Sequence, residues 1–517
     1  MRSRTVRIVP MNLATLEQSF TYTPDAAARE VFHSFSKSMC PRCRELVDAA
    51  RIIRAGKVYL RKQCPRDGGS EALISGDAEW FLKSMSYVKK SSVPLKFSTK
   101  VDDGCPKDCG LCPDHEQHSC LPIIEITNYC NLECPICIVQ NKHNYHMSRE
   151  EFVATVDGLV EKEGFLDTIN LSGGEPTMHP EFLDFLDIAR ARLEISRVSI
   201  STNGLKIATD FAFCEELAKR KVYVNLQLDA MSNPSLRVLR GNGDHHGVKE
   251  RALANMGKAG IRGTIVATVA KGINDHAIGD AVRLLYEHDF ILSLMFQPAA
   301  YTGYGGAHFA PHNPLDVITI PDVVRACEEQ TGELRRSDFY PLPCSHPGCF
   351  ALTYLLKTDA GFVPFPRFIE LEQYLEAVSN RGTIRPDEQF ESALHRAIHQ
   401  LWSAAGNIPD SARILRTLKR ALRLMYPEDR VLSLEQRLHL GEGLVKTIFI
   451  HAFMDEHTFE IDRIKKCCTH YALPDGRLMP GCAYNMFYRN KDARFQGDAG
   501  SSEIWSEGTL SLPIVQS

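Results

Sequence analysis

The stretch "CNLECPIC", Cys130 to Cys137, sets three cysteines at spacings of four and three. On a helix those positions would form one stripe, the pattern of a core face. Pro135 opposes that reading. Inside a helix it removes a hydrogen bond and clashes with the preceding turn, at a cost of about 3 kcal/mol. It also drives Cys134 out of the helical region of backbone space. The stretch therefore reads as a loop, which can turn three thiolates toward one point. Independently placed cysteines would give this spacing in roughly 2% of chains of this composition, so chance is a poor account of it. Three thiolates suit a [4Fe–4S] cluster with one iron left open, and an open coordination position permits chemistry.

The loop follows "LPIIEIT" (121–127), the first of six apolar, β-branched runs. The others are "TINLS" (168–172), "RVSIST" (197–202), "VYVNLQLD" (222–229), "GTIVATV" (263–269) and "LSLMFQP" (292–298). Such runs suit parallel strands buried on both faces. Helical patterns separate them. One opens with a capping box, Ser148 and Glu151, and ends at Gly164. Six β/α units in series predict an α/β fold with a partial, TIM-like (β/α)6 barrel, whose chemistry sits at the C-terminal strand ends. Those ends carry polar groups. Gly173 and Gly174 allow close backbone approach, and Glu175 can hold an ammonium. Ser201 and Asn203 can hold a ribose, while Gln227, Asp229 and Gln297 end later strands.

The whole chain has 517 residues, 44% hydrophobic and 24% charged, with a net charge of −4. It is long enough for two or three domains, and no strong field points to nucleic acid. The first twenty residues have no apolar leader core, and no run is long enough to span a membrane, so a cytoplasmic location is expected. Three regions are predicted: a metal-binding segment at 1–119, the barrel at 120–305, and a helical, cysteine-bearing region at 306–517. Seventeen cysteines without a leader favour metal ligation over disulfides.

Cys40, Cys43 and Cys64 flank a hairpin in a rubredoxin-like or zinc-ribbon pattern, fitting one Fe or Zn ion with only three local ligands. Cys105, Cys109, Cys112 and Cys120 fall within 16 residues and suit a further cluster, with a structural zinc loop as the alternative. Cys344, Cys349, Cys467, Cys468 and Cys482 complete the set. Neighbouring side chains in an extended segment point opposite ways, so Cys467 and Cys468 are expected to serve different sites. Seven cysteines before the loop and five after the barrel make three four-ligand sites only if a C-terminal cysteine joins an N-terminal site. His346 or His470 could replace a thiolate. Cys214 and Cys327 lie in helical patterns and read as core.

The cysteine loop with "SGGEP" (172–176) and "STNG" (201–204) resembles the radical S-adenosylmethionine (SAM) enzymes over about residues 120–305. The resemblance implies a [4Fe–4S] cluster on Cys130, Cys134 and Cys137, with SAM on its open iron. Gly173, Gly174 and Glu175 would contact the SAM amino group, and Ser201 and Asn203 its ribose side. A 5′-deoxyadenosyl radical would abstract a substrate hydrogen. Ile136 stands where the family often has an aromatic against adenine. Over nearly the whole chain, "CPRC…CPRDGG", "QPAAYTG", "PCSHPGC" and "KCCTHYALPDGRLMPGCAYN" resemble archaeal tetraether lipid synthases and their bacterial relatives. That implies two auxiliary [4Fe–4S] clusters, one mononuclear iron, and an electron donor such as flavodoxin or ferredoxin. The activity expected is C–C bond formation on lipid alkyl chains. The alternatives are radical C-methylation of a pterin-like small molecule and a non-enzymatic electron carrier.

"ARILRTLKRALRLMY" (412–426) sets Ile414, Leu415, Leu418, Leu422 and Met425 on one face, with five basic residues around them. Such a helix can make peripheral contact with anionic membranes, or pack its apolar face on a core and leave its charges in water.

Overall fold

The structure, a computed structural model, describes residues 30–495 except 140, 142, 311, 382, 383, 404 and 405. The first twenty residues, read above for a leader, lie outside the described residues.

The chain opens with a small antiparallel sheet in the order β1 (Val31–Met39), β2 (Leu46–Arg54), β3 (Lys57–Cys64), β4 (Gly68–Ser75). In β3 alternate residues are buried, so Val58, Leu60 and Lys62 face inward. The β1–β2 turn carries Cys40 and Cys43, and the β3–β4 turn begins at Cys64. The two turns fall at the same end of the sheet, as antiparallel pairing requires.

The six expected strands all form: β5 (Leu121–Thr127), β6 (Ile169–Gly173), β7 (Val198–Thr202), β8 (Tyr223–Gln227), β9 (Gly263–Val269) and β10 (Ile291–Pro298). Each pairs in parallel with the next. Ile124, Leu171, Ile200, Leu226, Ile265 and Leu294 carry the strands into one shared core with helix residues such as Phe152 and Phe185. Helix Arg149–Glu163 has the expected capping box and ends at Gly164. Cys214 and Cys327 are fully buried in this core.

The sheet is wider than predicted. β14 (Val445–His451) adds in parallel beside β10, and β12 (Phe350–Thr358) adds antiparallel beyond it, flanked by β11 (Tyr340–Pro341) and β13 (Gly361–Pro364). On the other side β15 (Thr469–Ala472) pairs in parallel with β5 and antiparallel with β16 (Leu478–Pro480). The region after 305 is therefore not simply helical. It supplies six strands to a twelve-stranded sheet. Among the described residues no pairing joins β11 to β16, so the sheet is open between those edges.

Helix Ser411–Met425 packs its apolar face inward: Ile414, Leu418 and Met425 are buried against helix Glu388–Ser403. Its arginines face outward, which is the second of the two readings above. No helix among the described residues is long and apolar enough to cross a membrane.

Candidate active site

Cys130, Cys134 and Cys137 lie in the loop after β5 and line one end of a cavity of about 580 Å³. The Cys137 amide donates to the Cys134 carbonyl at 3.0 Å, closing the turn that Pro135 starts. Burial pushes the Cys130 thiol up to about 12, and burial also raises Cys137. Free thiolates are thus disfavoured there, and a bound metal would displace the protons. Three thiols on one loop beside a ligand-sized cavity fit a site-differentiated [4Fe–4S] cluster.

Glycines let neighbouring backbone close over this loop. A Cβ on Gly174 would stand 2.3 Å from the Tyr129 carbonyl oxygen, and one on Gly303 would stand 2.4 Å from that of Ile138. Gly305 N–H donates to the Cys137 carbonyl at 2.7 Å. The segment after β10 is therefore a brace on the cysteine loop. It is itself held from behind: Asp455 accepts from the Tyr301 amide at 3.2 Å, and Glu456 from the Thr302 hydroxyl at 3.2 Å. The small N-terminal sheet grips the same 455–460 segment. Arg51 Nε donates to Glu460 at 2.6 Å, and Lys62 Nζ to the Glu456 carbonyl at 3.0 Å.

Ile136, Gly174, Glu175, Ser201, Asn203, Gln227 and Gln297 all line the cavity. Ile136 joins Leu239, Ala270, Tyr301 and Phe309 in an apolar cluster beside the loop. Glu175 is 1% exposed and brackets two strand ends, accepting from the Thr177 and Thr202 hydroxyls at 2.7 and 2.8 Å and from the Asn203 amide at 2.8 Å. Burial raises its pKa against these hydrogen bonds.

Two of the expected cofactor contacts are placed differently from the rest. Gly173 does not line the cavity: a Cβ there would stand 2.1 Å from the Thr127 carbonyl oxygen, so this glycine lets β6 pack on β5. Asp229 is also absent from the lining, because its carboxylate is consumed by Arg240 at 2.6 and 2.8 Å and by the Thr268 amide at 2.8 Å. Arg240 does line the cavity. Burial alone would lower its pKa, but Asp229 and the nearby Cys134 and Cys137 hold it above the ordinary value. The sequence reading missed Arg240, which sits on a short helix with no motif around it. It also missed Lys249, fully buried, whose ammonium reaches Gln227 Oε1 at 2.8 Å and the Asn203 carbonyl.

The cavity has two halves. Inside the sheet its wall is polar: Asn170 links Ser199, Ser201 and Asn225 through hydrogen bonds of 3.1, 2.9 and 3.0 Å. Beyond β12 and β14 the wall is apolar, with Phe365, Phe368, Leu394, Ala397, Leu418 and Met425.

Ten of the other twelve candidate ligand cysteines gather in three places. Cys40, Cys43 and Cys64 meet at the end of the small sheet, with Asp67. Cys109 contacts Cys105, with Cys112 and Cys467 beside it. Cys120 contacts Cys344 and Cys468. Cys467 thus lies beside Cys109 and Cys482, and Cys468 beside Cys120. Arg463 lies between Cys349 and Cys482, donating to Cys349 Sγ at 3.4 Å. At the small sheet the group nearest the three cysteines is the Asp67 carboxylate, and no C-terminal cysteine joins them among the described residues. His470 instead contacts His115 at 3.2 Å, and burial holds His346 well below the ordinary histidine value.

A cysteine loop at the end of the first of six parallel strands, beside a cavity crossing the later strand ends, defines a class of cofactor-using α/β enzyme. The Radical SAM superfamily pattern matches residues 124–285, and the HMPTM N-terminal zinc ribbon domain matches residues 32–76. The chain is 30% identical over 491 residues to the 7,8-dihydro-6-hydroxymethylpterin dimethyltransferase of Methanocaldococcus jannaschii, covering 88% of this chain and 94% of that protein. It is 26% identical to the GTP 3′,8-cyclase of Desulforamulus reducens over 32% of this chain and 51% of that one. Streptococcus suis SuiB with its precursor peptide SuiA aligns over 43% of this chain at a TM-score of 0.36 and 18% identity. The chain belongs to the radical SAM superfamily and is a radical SAM enzyme that uses a [4Fe–4S] cluster and SAM. The tetraether-synthase likeness finds no support among these relatives, whose dimethyltransferase name fits the methylation alternative.

Proposed function

We propose that this enzyme forms a carbon–carbon bond at an unactivated carbon of a substrate with a long apolar portion. The observation that supports this reading is the apolar half of the cavity, continuous with the Cys130–Cys137 loop and walled by Phe368, Leu394, Leu418 and Met425. Burying an alkyl chain there is favourable by about 0.8 kcal/mol per methylene. Bound at the loop, a cluster and SAM would supply radical chemistry for hydrogen abstraction. Cys130, Cys134 and Cys137 would hold the cluster. Glu175 fixes the strand ends around SAM, and Ser201, Asn203, Gln227 and Gln297 offer it polar contacts. Ile136 and its apolar neighbours exclude water. Cys105, Cys109, Cys112 and Cys467, and Cys120, Cys344 and Cys468, would hold auxiliary clusters, with Cys349 and Cys482 nearby.

A second reading is radical methylation of a pterin-like heterocycle. It is supported by the full-length relative's name and by the polar half of the cavity, whose Asn170 and Asn225 amides suit a heterocycle edge. Anaerobic incubation with SAM and a reductant separates the two. The first reading expects 5′-deoxyadenosine release stimulated by a lipid extract. Stimulation by a dihydropterin and by no lipid class sinks it.

Ala397→Trp sharpens the comparison, because Ala397 lines the apolar half. The indole fills space an alkyl chain would occupy, so KM for a lipid substrate should rise at least about tenfold, or 1.4 kcal/mol. Unchanged lipid kinetics would remove the chain from this half.

A further inference from the structure

The tetrapeptide Cys-Pro-Arg-Cys at 40–43 recurs at 64–67 as Cys-Pro-Arg-Asp. The two copies form the turns at one end of the small sheet, and the Sγ atoms of Cys40, Cys43 and Cys64 and a carboxylate oxygen of Asp67 all lie within 4.8 Å of one another. The spacings are those of a shared ion. Metal–sulfur bonds of about 2.3 Å and a metal–oxygen bond of about 2.1 Å at tetrahedral angles set two sulfurs about 3.8 Å apart, and sulfur and oxygen about 3.6 Å apart. Cys43 and Cys64 Sγ are 3.6 Å apart, and Asp67 Oδ2 is 3.3 Å from Cys40 Sγ and 3.6 Å from Cys64 Sγ. A cubane cluster would hold its ligand sulfurs farther apart than this.

The turn is built to keep Asp67 in that corner. Its own amide donates to Cys64 Sγ at 3.3 Å, as suits a thiolate, and Arg42 donates to its carbonyl at 3.3 Å. Arg66 Nε lies 3.6 Å from Asp67 Oδ2, leaving the carboxylate charged and aimed at the three sulfurs. The cysteines able to compete for the place are engaged elsewhere, Cys467 beside Cys109 and Cys468 against Cys120.

We propose that Asp67 is the fourth ligand of this site, which therefore binds a divalent ion, zinc in the first place, through three thiolates and one carboxylate. A four-sulfur shell is the rubredoxin arrangement. An oxygen in the fourth corner suits redox-inert Zn2+, which takes cysteine and aspartate alike. The ribbon is then a structural clamp and not an electron relay.

The test uses the full-length protein with its clusters intact, one equivalent of Zn2+ in the ribbon, and X-ray absorption at the zinc edge, where iron is silent. The expected first shell is three sulfurs and one oxygen. Asp67→Ala should bind Zn2+ at least about tenfold more weakly in a chelator competition, since even outer-shell changes cost that much. Asp67→Cys should convert the shell to four sulfurs. A four-sulfur shell in the unaltered protein, or unchanged zinc affinity in Asp67→Ala, overturns the proposal. If Asp67→Cys does not fold, the first two measurements still decide it.

Discussion

Full-length protein carrying Cys134→Ala is expected to hold about four fewer iron atoms per chain and to release no 5′-deoxyadenosine above background. Outside the loop, Cys482 also lines this cavity, where its Sγ accepts from the Met454 amide at 3.2 Å. The other cysteine groups lie at the small sheet, beside Lys465, and beside Tyr340. Pro135 fixes the loop just after Cys134, so neighbouring residues cannot swing a substitute into place. Loss of one preorganised catalytic donor typically costs about 10²–10³ in rate, and loss of the cofactor anchor should cost at least that. Iron content and product formation are read on the same sample. Retained iron with retained 5′-deoxyadenosine would remove Cys134 from the cluster.

Asp229→Ala is expected to be the most destabilising single change near the cavity. It strands the Arg240 guanidinium, whose side chain is 11% exposed while that of Asp229 is fully buried. Breaking such a pair from one side costs about 3–5 kcal/mol. Thermal unfolding should begin several degrees lower, and cluster occupancy should fall with it, because Arg240 stands beside Cys134 and Cys137. The double variant Asp229→Leu, Arg240→Met tests the cause. Replacing both partners with apolar groups should recover most of the stability. It should not recover SAM cleavage, since the positive charge beside the thiolates is gone. A single variant as stable as the parent would show the pair to be dispensable.

The six parallel strands and the cysteine loop were legible because their signals are local. Continuous β-branched runs mark doubly buried strands, and Pro135 excludes a helix without help from anything distant. β14 was hidden because "VKTIFIH" carries Lys446 at its second position. Only the fold shows that this ammonium is buried and donates to the His288 carbonyl at 2.6 Å. β12 was hidden for the opposite reason: an apolar run of that length reads equally as helix or strand until a partner appears. Asp67 was within reach, since CPRD repeats the first three residues of CPRC and puts Asp in place of the last Cys, but counting cysteines alone passed over it. Asp229 shows a different limit. A carboxylate at a strand end looks like a ligand contact, and nothing near it in sequence announces that Arg240 will claim it.

The pairing of β15 with β5, Thr469 against Leu121, bears on how the enzyme is made. Synthesis runs from the N-terminus, so the strand that carries the cysteine loop is complete long before its neighbour exists. Through that interval β5 has a bare edge, and such edges invite pairing with other chains. Cys467 and Cys468 arrive with the same late segment. Iron delivered to a half-made chain would therefore meet incomplete binding groups beside an unprotected edge. Closure of this sheet edge and completion of the cysteine groups around Cys109 and Cys120 thus wait for the same late segment, which predicts that a chain truncated before Cys467 leaves both incomplete while the Cys130–Cys137 loop is whole.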